Sequence, residues 1–207
     1  AVQALGKIKV DFEALDIDAM TISSHKIYGP QGVAALIVNK KIDIIPYMQG
    51  GGQEKGLRSG TENIAAIIGF GKACERSSQN LVEFKENIGR LRLILEKALL
   101  AIGAIIFCEN SNRLSNTTFF SFKNIDGSTL LTALDRKGFA IASGSACSSN
   151  SSEPSHVLLS MGVGLDLAQG ALRISLGLES TEGEVNGFID TLKDEVDRLR
   201  QMAAVAA

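Results

Sequence analysis

The feature that most constrains the fold is the alternation of short β-favouring runs with longer segments of helical periodicity. Residues 18–24 and 33–38 are two such runs, and the second is continuously apolar, as in a strand covered on both faces. The Gly-Pro turn between them favours an antiparallel edge on a mostly parallel sheet. Alternating strands and helices pack as layers, so the sequence predicts an α/β or α+β architecture.

Helical periodicity begins after the polar glycine loop at 50–60. Thr61 and the two residues after it favour a helix start, and residues 81–102 carry an apolar stripe at helical spacing. Further helices are predicted over 128–137, 154–161 and 181–201, and strands over 117–122, 141–143 and 171–177. The polar patch at 77–80 marks a predicted boundary between a first domain, 1–80, and a second, 81–207.

Composition excludes several classes of protein. The 207 residues carry 21 Lys and Arg against 23 Asp and Glu, which gives no electrostatic reason to expect nucleic acid as a partner. No apolar run approaches the ~20 residues that span a bilayer, and the first ten residues lack the pattern of a signal peptide. We therefore expect a cytoplasmic protein without a membrane segment. The absent initiator Met predicts either a processed product or part of a longer protein.

The cysteines and histidines are too few and too scattered for a structural metal or disulfide framework. The three cysteines lie far apart and the two histidines accompany no CxxC motif, so we expect neither disulfides nor a zinc site. Cys147 lies among small polar residues, where an exposed thiolate is chemically possible. Cys74 and Cys108 lie in apolar helix and strand contexts instead. A harmless linker thiol is the alternative for Cys147.

Lys26 follows a predicted strand and precedes a Gly-Pro turn. A lysine that leaves a sheet and enters a cleft loses solvation and can act as a Schiff-base nucleophile. The alternatives are a surface lysine and, for the adjacent His25, a hydrogen-bonded structural role.

Arg173 lies inside a strand otherwise rich in Leu and Ile. Its guanidinium suits two-point recognition of a carboxylate, unless the strand lies at a sheet edge and the side chain simply reaches solvent. The glycine loop at 50–61 offers backbone donors that could bind an anion, although it lacks the P-loop pattern and a plain turn is the alternative.

Four motifs in a fixed order give these features a common interpretation. They are Ser-Ser-His-Lys-Ile-Tyr-Gly-Pro at 23–30, Gly-Gly-Gly-Gln-Glu-Lys-Gly-Leu-Arg-Ser-Gly-Thr at 50–61, Ser-Gly-Ser-Ala-Cys at 143–147 and Leu-Arg-Ile-Ser-Leu-Gly at 172–177. Over essentially its whole length, the chain closely resembles the pyridoxal-phosphate-dependent cysteine desulfurases of nitrogenase and iron–sulfur cluster assembly.

The resemblance implies site residues by position. It makes Lys26 the lysine that binds pyridoxal 5'-phosphate covalently, Cys147 the cysteine that forms a persulfide, and Arg173 the arginine that holds the substrate carboxylate. His25 is counted with Lys26 and Cys147 among the catalytic residues. Further cofactor contacts are implied for Gln3 at the pyridine hydroxyl, for Ser23 and His25 at or near the phosphate, and for Thr61 at the phosphate of the other subunit of a homodimer.

The resemblance also implies a fold and a reaction. The fold is the type I fold of pyridoxal-phosphate enzymes, present here as the C-terminal part of the large domain plus the small α+β C-terminal domain. The expected reaction converts L-cysteine to L-alanine and passes persulfide sulfur to a scaffold or other acceptor protein. Family members are nearly twice as long, and their N-terminal half supplies the remaining cofactor contacts. The alternatives are a selenocysteine lyase, another carbon–sulfur lyase, or a non-catalytic dimerisation or scaffold-docking module.

Overall fold

A computed structural model describes residues 1–143 and 153–206, and it divides the chain into two compact units, Ala1–Glu83 and Phe84–Ala207. The sequence-based boundary between 80 and 81 lies close to this division. The strands are β1 (Ala19–Ser23), β2 (Ala34–Val38), β3 (Ile105–Ile106), β4 (Thr117–Ser121), β5 (Ala142–Ser143) and β6 (Leu172–Ser175). The helices are α1 (Ile64–Gln79), α2 (Leu81–Ala101), α3 (Gly127–Asp135), α4 (His156–Ser160), α5 (Leu165–Gln169) and α6 (Glu182–Ala206).

In the first unit, β1 and β2 form an antiparallel pair whose register runs from Ala19 opposite Val38 to Ser23 opposite Ala34. Helix α1 begins where the Asn63 side chain accepts a hydrogen bond from the Ala66 amide, which supplies the missing partner at the helix start. A small apolar cluster of Ile27, Phe70 and Ala73, with five partly buried neighbours, is the core of this unit.

The expectation that residues 33–38 are covered on both faces is wrong for this chain. Leu36 is 55% exposed and Ile37 is 36% exposed. The described part of this unit has only two strands and one long helix, so little of the strand pair is covered. Helix α1 likewise leaves Ile64 and Ile68 exposed, although both are apolar.

The second unit is built on an antiparallel four-stranded sheet in the order β3-β4-β6-β5. Its main core contains residues of α2, α3 and α6 together with sheet residues such as Phe120 and Leu172. The stripe predicted on α2 is confirmed, since all of its members are buried: Phe84, Ile88, Leu91, Leu95 and Leu99. A 3.6-residue period determines which side of a helix can be buried, and here that side faces the core.

The opposite face of the sheet carries a smaller apolar cluster. Successive strand residues point to opposite faces, so Phe119 joins Phe107 and helices α4 and α5 while Phe120 joins the main core. The rings of Phe107 and Phe119 lie 5.2 Å apart between centroids. Helix α5 was not predicted, because five residues are too few to show a helical period.

Two glycines allow α3 and α5 to pack closely. A Cβ on Gly127 would lie 2.9 Å from the Gln169 carbonyl oxygen, and one on Gly170 would lie 2.8 Å from the carbonyl oxygen of Ile125. Backbone atoms cannot move aside as a flexible side chain can, so these positions require glycine. No helix of the described residues is long and apolar enough to cross a membrane.

The placement of Cys108 in an apolar strand is wrong. Cys108 follows β3, is exposed, and has a left-handed backbone with φ of 56°. The apolar residues before it end in a turn rather than in a longer strand. Cys74 is half-buried on α1, and burial raises the pKa of its thiol.

Candidate functional site

The turn that carries Lys26 is anchored by Ser24 and Ile27, which lie immediately before and after the exposed pair His25–Lys26. Strand β1 ends at Ser23 and continues into a 3-10 turn over Ser24–Ile27. Ser24 is fully buried, its amide donates to the Val33 carbonyl at 3.2 Å, and Ile27 is 4% exposed. Because both ends of the turn are anchored, the side chains of His25 and Lys26 are displayed to solvent.

Gly29 closes this turn against α1. Its amide donates to the Ser24 carbonyl at 3.0 Å, and a Cβ at this position would lie 2.2 Å from Ser24 Oγ and 2.9 Å from Ala73 Cβ. Any larger residue would push the turn away from the helix. Gly29 of the Gly-Pro pair recognised in the sequence is therefore needed for the close packing of the lysine-bearing turn.

Ser23 and His25 form a polar pair next to Lys26. Ser23 Oγ lies 2.9 Å from His25 Nδ1, a hydrogen-bonding distance. The described hydrogen bonds and ion pairs do not include the Lys26 amine, which is exposed. The turn thus presents a hydroxyl, an imidazole and a primary amine within four residues of chain.

Lys7 is a neighbour of this turn that the sequence analysis missed. Its Nζ donates to the Gln3 carbonyl at 3.1 Å. Burial, and to a lesser extent the positive charge of Lys26, lower the pKa of Lys7. Gly6 has φ of 73°, and a Cβ there would lie 2.9 Å from the Ile27 side chain, so the segment carrying Gln3 and Lys7 packs on the Lys26 turn.

This group forms through tertiary packing, which explains why local sequence patterns do not reveal Lys7. Nothing in the spacing between residues 7 and 26 indicates proximity, and a half-buried lysine has no characteristic local pattern. The described structure therefore brings the Gln3–Lys7 segment, Ser23, His25 and Lys26 together in the first unit.

Thr61 lies at the end of the glycine loop, exposed, and the described hydrogen bonds do not join it to the Lys26 turn. The loop is tied internally: Ser59 donates to the Met48 carbonyl from both its amide, at 3.3 Å, and its hydroxyl, at 3.0 Å. Gln53 Oε1 accepts from the Gly60 amide at 3.3 Å. These bonds fix the loop that ends at Thr61.

Arg173 lies in the second unit on β6, which is an interior strand, so the alternative of an edge-strand arginine is wrong. It pairs with Phe119 of β4 and Ala142 of β5. Its strand neighbours Leu172 and Ile174 are buried in the main core, so Arg173 points to the opposite face, the one that carries Phe119.

The guanidinium of Arg173 has unused hydrogen-bonding capacity. Its Nε is buried and has no hydrogen-bond partner among the described residues. A buried donor without a partner costs about 1–3 kcal/mol. A planar guanidinium in this state is suited to bind a carboxylate.

Cys147 lies outside the described residues. The groups around Lys26 and Arg173 belong to different units. The predicted assignments to Lys26, His25, Gln3, Ser23, Thr61, Arg173 and Cys147 stay predictions at this point.

Comparison with known proteins gives the family. The model of the family described as aminotransferase class-V matches residues 1–188. A curated relative, the cysteine desulfurase IscS of Dictyoglomus turgidum, is 41% identical over 205 residues, covering 98% of this chain and 52% of that protein. The chain spans about half the length of the curated relatives it matches.

Solved structures agree with the predicted fold. The NifS-like protein of Rickettsia africae superposes with a TM-score of 0.88 at 40% identity, over 95% of this chain and 52% of that one. A structure of SspA in complex with cysteine gives a TM-score of 0.67 at 31% identity, over 85% of this chain and 48% of that one. The prediction of an incomplete type I fold is confirmed. With the family match spanning nearly its whole length, the chain belongs to the aminotransferase class-V family.

Proposed function

We propose that the protein is a cysteine desulfurase, which removes sulfur from L-cysteine with pyridoxal 5'-phosphate and leaves L-alanine and a persulfide on Cys147. Relatives at about 41% identity carry the name cysteine desulfurase, and one structural relative was solved with cysteine. The observation in this chain that carries the proposal is Arg173, a half-buried arginine on an interior strand whose Nε has no hydrogen-bond partner among the described residues. It is the kind of donor that a substrate carboxylate requires.

The residues near Lys26 fit the cofactor. Pyridoxal phosphate needs a primary amine for attachment and cationic or hydroxyl donors for its phosphate. Lys26, the Ser23–His25 pair and half-buried Lys7 supply such groups, and among the described ion pairs no carboxylate neutralises either lysine. When bound, the cofactor supplies an electron sink for the substrate carbon.

Each predicted site residue has a defined task in this proposal. Lys26 Nζ would attach the cofactor and then carry a proton to and from the substrate carbons, while Ser23, His25 and Gln3 would orient the ring and phosphate. Thr61, exposed at the end of its internally bonded loop, would reach the phosphate of a second subunit. Arg173 would hold the substrate carboxylate.

Sulfur transfer is assigned to Cys147. Its thiolate would attack the substrate sulfur, so that a sulfur–sulfur bond forms and the carbon–sulfur bond breaks. The electron pair of the broken bond stays with the three-carbon fragment, which then takes up a proton. The persulfide would pass to an iron–sulfur scaffold or other acceptor protein, in the cytoplasm, from a homodimeric enzyme.

The test is a comparison of Arg173→Ala with Arg136→Ala, which removes an exposed arginine of the same unit. Loss of a charge-assisted pair worth about 1.5–3 kcal/mol lowers kcat/KM for L-cysteine about 10- to 150-fold in R173A, chiefly through KM. R136A keeps the wild-type value. Unchanged kinetics in R173A would remove the structural support for the proposal.

Cys147→Ala separates sulfur transfer from cofactor binding in the same assay. The variant keeps the visible absorption of bound cofactor and loses the persulfide detected by mass spectrometry and thiol-specific labelling. If a persulfide forms elsewhere on C147A, the assignment of the nucleophile is wrong even when the reaction class is right.

A further inference from the structure

The segment before β1 turns back on itself in such a way that the Gln3 carbonyl depends on a side chain for its hydrogen bond. The amides of residues 4 and 5 donate to the Ala1 carbonyl, and those of residues 7 and 8 donate to the Ala4 carbonyl, all at 3.0–3.1 Å. Among the described hydrogen bonds, the Gln3 carbonyl accepts only from Lys7 Nζ, at 3.1 Å. Lys7 thus supplies a bond that the backbone of the turn does not.

Leu5 and Gly6, which lie between Gln3 and Lys7, pack on the Lys26 turn. Leu5 is partly buried against the apolar cluster that contains Ile27. A Cβ on Gly6 would lie 2.9 Å from the Ile27 side chain, and the left-handed backbone of Gly6, with φ of 73°, also favours glycine. Because Ile27 directly follows Lys26, this packing and the bond from Lys7 together set where Gln3 lies relative to the Lys26 turn.

The surroundings of Lys7 differ from those of an ordinary surface lysine. Lys7 is half-buried, and burial together with the positive charge of Lys26 lowers its pKa. The described ion pairs give Lys7 no carboxylate, so its partner there is the Gln3 carbonyl. Lys9, two residues further on, has a side chain that is 82% exposed and lies 3.5 Å from an Asp11 carboxylate oxygen. The Gln3 side chain is exposed and makes none of the described hydrogen bonds, so it is available to a ligand.

We propose that Lys7 is a positioning residue of the cofactor site, which acts by holding the Gln3 carbonyl. Gln3 is assigned to the pyridine hydroxyl of the cofactor, and Lys26 to its covalent attachment. With its carbonyl bonded to Lys7, Gln3 is ordered before the cofactor binds, so that less conformational freedom is lost on binding. A charged donor suits this task, because charge-assisted hydrogen bonds are stronger than neutral ones. The inference rests on the proposed function, which supplies the partner of Gln3.

The experiment titrates the apoprotein with pyridoxal phosphate and takes the dissociation constant from the visible absorption of the bound cofactor. Lys7→Met keeps an unbranched apolar stem but cannot donate, so its dissociation constant rises about 3- to 10-fold, as for the loss of one hydrogen bond. Lys9→Met is the matched control, because it removes a lysine of the same segment that is exposed, and it keeps the wild-type constant. Lys7→Arg retains a charged donor and binds the cofactor more tightly than K7M.

A double-mutant cycle with Gln3→Ala tests whether Lys7 acts through Gln3. Without the Gln3 side chain Lys7 has nothing to position, so adding K7M to Q3A leaves the dissociation constant of Q3A unchanged. If the fold-changes of the two single variants multiplied in the double variant, as for a Lys7 that contacts the phosphate directly, the proposal would be overturned. Equal constants for the wild type and K7M would overturn it as well. A wild-type protein that did not bind pyridoxal phosphate would instead refute the proposed function, and this inference with it.

Discussion

The buried carboxylate of Glu96 permits a sharp test of how the second unit is stabilised. Glu96 is 6% exposed and lies on α2, where it joins Arg113 and Thr118 of the segment that leads into and forms β4. Glu96→Gln keeps the volume of the side chain but removes its charge. It also replaces one acceptor oxygen with an NH2 group, which faces donors on both sides.

The expected loss follows from the number of groups left unsatisfied. Arg113 loses a two-point charged partner, and Arg92 loses its only ion pair among the described residues. Breaking a buried ion pair on one side costs about 3–5 kcal/mol, because the other charge stays buried without compensation. For a chain of this length, that loss lowers the unfolding temperature by roughly 6–20 °C.

The assay is urea unfolding followed by far-ultraviolet circular dichroism, since α6 and most of α2, two of the long helices, belong to the second unit. The chain has no Trp, and both Tyr28 and Tyr47 lie in the first unit, so tyrosine fluorescence monitors that unit separately. Glu182→Gln is the control, because the Arg90–Glu182 pair is about half exposed. E182Q costs less than about 1 kcal/mol. A loss of similar size in E96Q would refute the reasoning.

Two further predictions concern α3 and α6. Gly127→Ala destabilises the second unit by about 1–3 kcal/mol, because the new methyl group meets the Gln169–Gly170 backbone, while Gly187→Ala, in open space on α6, stabilises it by up to about 1 kcal/mol. If the urea midpoint shifted in the same direction in both variants, relative to the wild type, this prediction would be contradicted. Partial burial acts to raise the pKa of Asp126, but hydrogen bonds from Ser128 and Thr129 outweigh it and hold the pKa below its usual range. The stabilisation from this cap, about 1 kcal/mol, is therefore present above about pH 4 and lost as pH falls through the folded-state pKa. In Asp126→Ala, the decrease of the urea midpoint that accompanies protonation of Asp126 disappears. A pH profile identical to that of the wild type would contradict this prediction.

Periodicity predicted the long elements well. The α2 stripe and the helix that became α6 needed only 3.6-residue spacing, and the turn at 29–30 needed only Gly and Pro. Short elements were harder to predict, because α5 and the turn at Cys108 depend on what packs against them. The predicted burial of β2 was wrong for a related reason. An apolar run shows that a strand can be covered on both faces, but it does not show whether the elements that would cover it are present.

The candidate site divides in the same way. The ordered motifs around Lys26, Cys147 and Arg173 were readable because chemistry demands particular residue types at particular places in the chain, and they led to the family. Tertiary packing alone brought Lys7 to the Lys26 turn, made β6 an interior strand, and placed Arg113 and Thr118 on the carboxylate of Glu96. Sequence spacing encodes local geometry, whereas burial and charge balance arise from residues that are distant along the chain.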